Sequence, residues 1–505
     1  MNARRTLELA GLLGLALLVA VPVGNAADLG ATRTLPPIHL TLEEVLAWVD
    51  RSHPLLKGTE REKMIARGKV LKALGAFEPV LVNDMELERF VPRGALDTRT
   101  AGFNDTFLDF RDPSGIRASA GYRRAVGDAV IPDLEFGRNN QALLGVFIPL
   151  LRGLLVNPDS AELKRSGLAD PRAEIQIAQT RQDLFLAAAN QYWDWVAAVK
   201  LADVQQRAVR VAEDRAKQVE QRAKAGAVAP LDVVEANQEV QRRREAHIAA
   251  TRLVEAEQFK LSMFLWERDA PSIPPVERAP EFPKQVALPA SEQVHEDKLQ
   301  ARSVRPEVRA VAIEAKVNNI DLELAKNNLL PSLDAEAAPA RIPEKFVLGL
   351  GYRFGVELRI PFLQRRARGE VLEAQGKADQ LVLAQKFREQ QVMMDVDNAL
   401  SAIERAKQRI EAASQSLRMA RTLEEGERFR FSLGATNVLF VNLRERNSVD
   451  SENQWVRALA DYHKALALYR WASGSWANQP SLSLSPIRSR SQDLHIGAER
   501  PGPNR

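Results

Sequence analysis

The sequence predicts a mainly helical protein with strands of alternating polarity, built as a helix, strand and helical-hairpin unit that occurs twice. Three observations carry this. First, Arg222 to Leu231 (RAKAGAVAPL) and Arg430 to Leu439 (RFSLGATNVL) share an Arg, a Gly four places on and a Leu five beyond it. Each interrupts a long helical pattern, so each reads as a hairpin tip where Gly ends a helix. Second, Pro54 to Pro79 and Pro306 to Pro331 bracket helical segments with the same spacing of 25 residues. Third, an alternating strand pattern follows each segment, ends in Ile-Pro at Pro149 and Pro361, and leads into a long helix.

Composition narrows the function classes. The 505 residues carry a formal net charge of +4 with basic residues spread along the chain, too little to indicate nucleic-acid binding. The absence of Cys excludes disulfides, thiolate metal sites, thiol catalysis and lipid attachment to an N-terminal Cys. Arg4 and Arg5, an apolar run from Leu9 to Val23, then Gly24-Asn25-Ala26-Ala27 have the order of a secretory signal, with cleavage expected after Ala26. No later apolar run is long enough for a helical span, which leaves an exported soluble protein or a β-barrel.

In chain order, Thr41-Leu42-Glu43-Glu44 fits a capping box that starts a short helix. Pro54 opens a second helix through Ile65, Val70 and Leu74. In the later copy, Phe346, Leu348, Leu350, Tyr352, Phe354, Val356, Leu358 and Ile360 are apolar, while most residues between them are Gly, Arg or Glu. That is a strand with one apolar face, and it exceeds the ~9 to 11 residues a transmembrane strand needs. Ala142, Leu144, Val146 and Ile148 keep the same phase before Pro149, and Ile116, Ala118, Ala120 and Tyr122 alternate likewise. Each copy offers few strands, and bacterial barrels need at least ~8, so a barrel would have to be shared among subunits.

The second long helix carries Val396, Ala399, Ile403, Ala406, Ile410, Ala413, Leu417 and Ala420 at spacings of four and three, a heptad seam for a close partner helix. Helix over 365–431 would be a rod of ~100 Å. The returning arm shows Val456, Leu459, His463 and Leu466. In the first copy, Pro158 and Asp170-Pro171 leave two readings: a helix starting near Pro171, or one starting near Asp159 and kinking. Residues 269–290 are Pro-rich and read as an extended linker, and the residues beyond Gly474 read as a disordered tail.

No catalytic, cofactor-binding or metal-binding constellation emerges. The six His are scattered without a pair at ligand spacing, and no phosphate loop, dinucleotide fingerprint or nucleophile elbow occurs in a fitting context. Tyr192, Trp193 and Trp195 read as helix packing ahead of a stacking platform.

This order of elements, duplicated over about residues 40 to 474, resembles the TolC-like outer-membrane efflux proteins. The motifs that carry the resemblance are Ile148-Pro149-Leu150-Leu151-Arg152-Gly153, the two tips, and Gly426-Glu427-Arg428-Phe429-Arg430-Phe431 through Gly434 to Asn442-Leu443-Arg444-Glu445. The resemblance implies a homotrimer in which each chain gives four strands to one twelve-stranded β-barrel in outer-membrane lipid, continuous with a long periplasmic α-helical barrel. It implies a passive duct without cofactors, served by a periplasmic adaptor and an inner-membrane pump. Arg222, Gly226, Leu231, Arg430, Gly434 and Leu439 match the tip motif and become candidate adaptor contacts.

The expected organisation is a signal peptide over 1–26, a first repeat over 27–268 and a second over 291–474, joined by the linker at 269–290 and followed by a tail at 475–505. Strands are expected within 80–150 and 332–361, and hairpins over 159–268 and 365–474. The 70 residues from Pro79 to Pro149, against 30 from Pro331 to Pro361, imply an insertion in the first copy, with a surface loop as its candidate form and the strand count of that copy left open. The alternative reading is a periplasmic coiled-coil adaptor, although an adaptor would show one hairpin between Gly-rich β halves and this chain shows two hairpins.

Overall fold

A computed structural model describes residues 39–91, 96–127, 141–283, 285–338 and 353–477. The expected signal peptide and the strand positions Phe346, Leu348, Leu350 and Tyr352 lie outside the described residues.

Helix α1 (Leu42–Ser52) starts at the expected box: the Thr41 hydroxyl accepts from the Glu44 amide at 3.2 Å, and the Glu44 carboxylate accepts from the Thr41 amide at 2.9 Å. The segment opened by Pro54 is two helices, α2 (Pro54–Glu60) and α3 (Glu62–Leu74), broken at Arg61. Strands β1 (Val80–Phe90), β2 (Arg99–Arg111), β3 (Arg117–Gly127) and β4 (Gln141–Pro149) follow, then α4 (Pro158–Ser166), α5 (Ala169–Lys224) and α6 (Pro230–Ser262). Both readings of the α5 start are adjusted. Asn157 caps α4, a break falls at Gly167 and Leu168, and Pro171 sits in the first turn of α5 where its missing amide is harmless.

A two-residue hairpin, β5 (Trp266–Glu267) with β6 (Ala270–Pro271), opens the linker. The order then recurs as α7 (Ser291–Val304), α8 (Pro306–Asn328), β7 (Ser332–Ala338), β8 (Arg353–Arg359), α9 (Arg365–Ser432) and α10 (Val438–Ala472). With 56 and 68 residues, α5 and α9 are about 84 and about 102 Å long at 1.5 Å per residue.

One open sheet has the order β1-β2-β3-β4-β7-β8, every neighbour antiparallel. This corrects the four strands per chain that the resemblance implies: among the described residues this sheet has six. The extra pair is β2 and β3, inserted between β1, which leaves α3, and β4, which leads to α4.

Register separates the two faces. Leu81, Met85, Leu87, Leu108, Tyr122, Leu144, Val146, Phe354, Val356 and Leu358 lie on one face and are exposed. The opposite face carries Asp84, Glu86, Asp105, Asp334, Glu336 and Glu357 against Arg117, Arg123 and Arg359. The Asp105–Arg123 pair is buried and bidentate, both bonds 2.7 Å, with the guanidinium 4.0 Å from the Phe103 ring centroid. Such geometry satisfies both charges, which burial would otherwise penalise.

The core lies in the helical part. On α9, Val392, Val396, Ala399, Ile403, Ala406, Ile410, Leu417 and Ala420 are buried, and Ala413 is half-buried. Those from Val392 to Ile410 pack on Leu459, Tyr462 and Ala465 of α10. The other side of α10 meets α5, with Val456 and Ala460 against Ala197. Val456 and His463 therefore belong to a second seam, so the returning arm serves two partners at once. Tyr192 and Trp195 are core residues, and Tyr192 donates to the Leu40 carbonyl at 2.8 Å.

The linker crosses this core: Phe282 stacks 5.8 Å from Trp193, and the Tyr462 hydroxyl donates to the Ala287 carbonyl at 2.7 Å and accepts from the Ala287 amide at 2.9 Å. The tail boundary also shifts. Trp476, assigned to the tail by its composition, is 2% exposed and packs edge-on against Phe185 at 5.8 Å. Residues 478–505 lie outside the described residues.

Candidate functional site

At both tips the sequence builds the same turn. Gly226 and Gly434 have φ of +71° and +74°. The Ala227 amide donates to the Arg222 carbonyl, and the Ala435 amide donates to the Arg430 carbonyl, each at 2.9 Å. These long-range closures, with a left-handed Gly, satisfy carbonyls the helix end would leave open. A Cβ on either Gly would meet nothing within 4 Å. Within one chain the requirement for Gly is therefore conformational. Pro230 starts α6 and Asn437 caps α10 through the Phe440 amide at 3.3 Å, two solutions to the same return.

The two Arg of the motif behave differently. Arg222 reaches the other hairpin and donates to the carbonyls of Phe431 and Ser432, both at 2.8 Å, with its guanidinium 4.9 Å from the Phe431 ring centroid. It thereby caps the C-terminal end of α9, where the helix dipole favours a cation. Arg430 stays on its own helix, 3.5 Å from Glu427. Beneath the tips, Val219, Ala236, Phe431, Val438 and Val441 form a small buried cluster joining the hairpins. Leu231, Leu439, Leu433 and Phe440 are exposed around it.

Above this cluster, three carboxylates are each shared by at least two Arg. Glu445 of α10 accepts from Arg428 of α9 at 2.7 Å and pairs with Arg215 of α5. Glu452, seven residues on, pairs with Arg207 of α5 at 2.7 Å and Arg421 of α9 at 3.1 Å. Glu239 of α6 pairs with Arg243 at 2.9 Å and with Arg446 of α10 at 3.0 Å. Glu239, Glu445 and Arg215 are buried, so loss of one partner would strand a charge in the core. This ladder fixes the mutual position of the hairpins. The sequence shows its members only as charges on helix faces, because the α5-to-α10 pairing that unites them is tertiary.

At the other end of the helices, the turn between β2 and β3 docks on the connection between β4 and α4. The Leu155 amide donates to the Ser114 carbonyl at 2.9 Å, Asn157 donates to the Pro113 carbonyl at 3.0 Å, and Arg111 pairs with Asp159 at 2.5 Å. Gly115 has φ of +95°, and a Cβ there would lie 2.3 Å from the Gly153 carbonyl. The turn thus fits only as Gly.

Among the described residues no group of three His, Asp or Glu is placed to hold a metal ion, and no helix is long and apolar enough to cross a membrane. The site's features are positional: a charged and an apolar sheet face at one end, and a tied pair of tips at the other.

No protein-family profile and no curated protein matches the chain. Solved structures do. A membrane protein from Pseudomonas aeruginosa is 16% identical with a TM-score of 0.64, covering 86% of this chain and 91% of that one. The CmeC outer membrane channel of Campylobacter jejuni is 12% identical with a TM-score of 0.62, covering 92% and 96%. The open state of the MtrE outer membrane channel of Neisseria gonorrhoeae is 17% identical with a TM-score of 0.59, covering 87% and 89%. Along most of its length, this chain has the fold of these outer-membrane channels.

Proposed function

We propose that the protein is the outer-membrane duct of a tripartite export assembly. Three copies sit with their sheets in the outer membrane and their hairpins in the periplasm. Cargo delivered by an inner-membrane pump and a periplasmic adaptor passes through without chemical change. The observation that carries this reading is the exposed apolar sheet face at one end of helices about 84 and about 102 Å long. A water-facing sheet would leave that face unprotected.

Exposed apolar side chains along the hairpins, among them Phe387, Met394, Met419 and Leu423 of α9, give neighbouring copies surface to cover. The tips, with Leu231, Leu439, Gly226, Gly434 and the two motif Arg, face away from the sheet and are the docking rim for the adaptor. An adaptor role for the chain itself is disfavoured by the six-stranded sheet and its apolar face.

Fractionation of expressing cells, followed by native mass measurement in detergent, tests the reading. A trimer extracted from the outer membrane is expected. A soluble monomer would refute it.

A further inference from the structure

Three features of the sheet concern how it closes. Its spatial order is its sequence order, and it ends in β1 and β8, each with a sheet neighbour on one side only among the described residues. The strand number is even and every pairing is antiparallel, so β1 and β8 run in opposite directions. The apolar face described above extends over all six strands, interrupted by Asn83, Asn104 and Thr106, which bond to one another, and by Arg89 and Arg124.

Lipid offers no hydrogen bonds to an open edge, so a sheet in a membrane closes completely. Six strands are fewer than the ~8 of the smallest bacterial barrels. The partner that fits the edge is a second copy of this chain. With an even number of strands, β8 of one copy beside β1 of the next continues the antiparallel alternation, and the repeated step forms a ring.

The inserted strands belong to that wall. β2 and β3 have 13 and 11 residues, enough for the ~9 to 11 of a transmembrane strand. They are paired on both sides, β2 with β1 over 80–90 and β3 with β4 over 141–147. Outward Leu108, Phe110 and Tyr122 continue the apolar face. Their connecting turn is anchored at the helical end of the sheet by Ser114, Arg111 and Gly115, so the two strands run the full height of the wall.

We infer that three copies, the number taken from the reading above, close an eighteen-stranded barrel through β8-to-β1 contacts between copies. At a strand spacing of ~4.8 Å and a tilt of ~40°, its backbone diameter is about 36 Å, against about 24 Å for twelve strands. Barrels of 16 to 18 strands enclose an aqueous channel.

The chain contains no Cys, so introduced pairs can be read without background. Single Cys at Leu81, Met85 or Leu87 of β1 are combined with Cys at Phe354, Val356 or Leu358 of β8. At least one combination should cross-link copies up to a covalent trimer in outer-membrane preparations. Leu81→Cys with Leu108→Cys, and Ala120→Cys with Leu144→Cys, should cross-link within one chain, since these residues face each other in register or sit on directly paired strands.

A trimer by native mass in which no β1–β8 combination links copies would overturn the eighteen-stranded closure and leave the duct reading intact. So would a trimer in which Cys on β1 links to Cys on β4, because that places β2 and β3 outside the wall. A membrane-bound dimer with β1–β8 links would close at twelve strands and overturn both the trimer and the eighteen.

Discussion

His463 on α10 lies in a stack of nearly parallel rings, 4.2 Å from Trp193 and 5.9 Å from Phe282 by centroid, with Tyr462 edge-on at 5.2 Å. Burial lowers its pKa from 6.5 to about 4, and its Nε2 has no hydrogen-bond partner. Nearby charges are paired among themselves: Lys464 with Asp194 at 2.7 Å, and Lys200 of α5 with Glu281 of the linker at 2.5 Å. The unfolded chain binds a proton at His463 more readily than the folded one does. Its contribution is therefore fully present above pH 6.5 and is lost as pH falls towards 4, a penalty on the order of 3 kcal/mol. His463→Phe keeps the stack and removes the titration. Melting curves between pH 7 and 4 should show a steeper fall for the natural protein than for the variant, and equal slopes would refute the assignment. The sequence places His463 on a helix seam but cannot show its ring partners, which arrive from α5 and the linker, 270 and 181 residues away.

Among elements, the helices and their ends were the most legible, because caps, heptads and Gly tips are local signals. Thr41, Gly226, Gly434 and the Val396-to-Ala420 seam all occupy the local structures their patterns describe. Strand β2 was not legible, for a physical reason. Its Asn104 and Thr106 lie on the apolar face, where Asn83 of β1 donates to them at 3.1 and 2.6 Å, while Phe103 turns to the charged face beneath Arg123. These mutual contacts invert the expected alternation. The tip elements carry their own prediction. Gly226→Val and Gly434→Val put a β-branched residue at positive φ, which strains the turn locally by ~1–2 kcal/mol, with no clash inside the chain. Export should fall while trimer mass in detergent stays unchanged. Gly→Asn at the same sites, which tolerates that backbone, should retain more export. Normal export by both Val variants would remove the tips as the docking rim.

For the whole molecule, the charged sheet face becomes the lining of the barrel if the apolar face meets lipid. Among the described strand positions of that face, eight carboxylates (Asp84, Glu86, Glu88, Asp105, Asp109, Asp334, Glu336 and Glu357) stand with six Arg (Arg99, Arg111, Arg117, Arg123, Arg353 and Arg359), and threefold assembly multiplies the excess of two. Such a wall attracts cations, and the bore decides how far the attraction reaches. A backbone radius of about 18 Å for eighteen strands follows from the strand spacing and tilt. That places the axis beyond the Debye length of ~10 Å at 0.1 M salt but within the ~30 Å at 0.01 M. Trimers in a planar bilayer should therefore show a cation-selective reversal potential across a dilute KCl gradient near 0.01 M, and it should shrink strongly as both sides approach 1 M. Glu86→Gln with Glu357→Gln should reduce the dilute-salt potential without changing trimer mass. Anion selectivity in dilute salt would refute the lining, whereas selectivity that persists undiminished at high salt would place the discriminating charges in a narrower part of the duct.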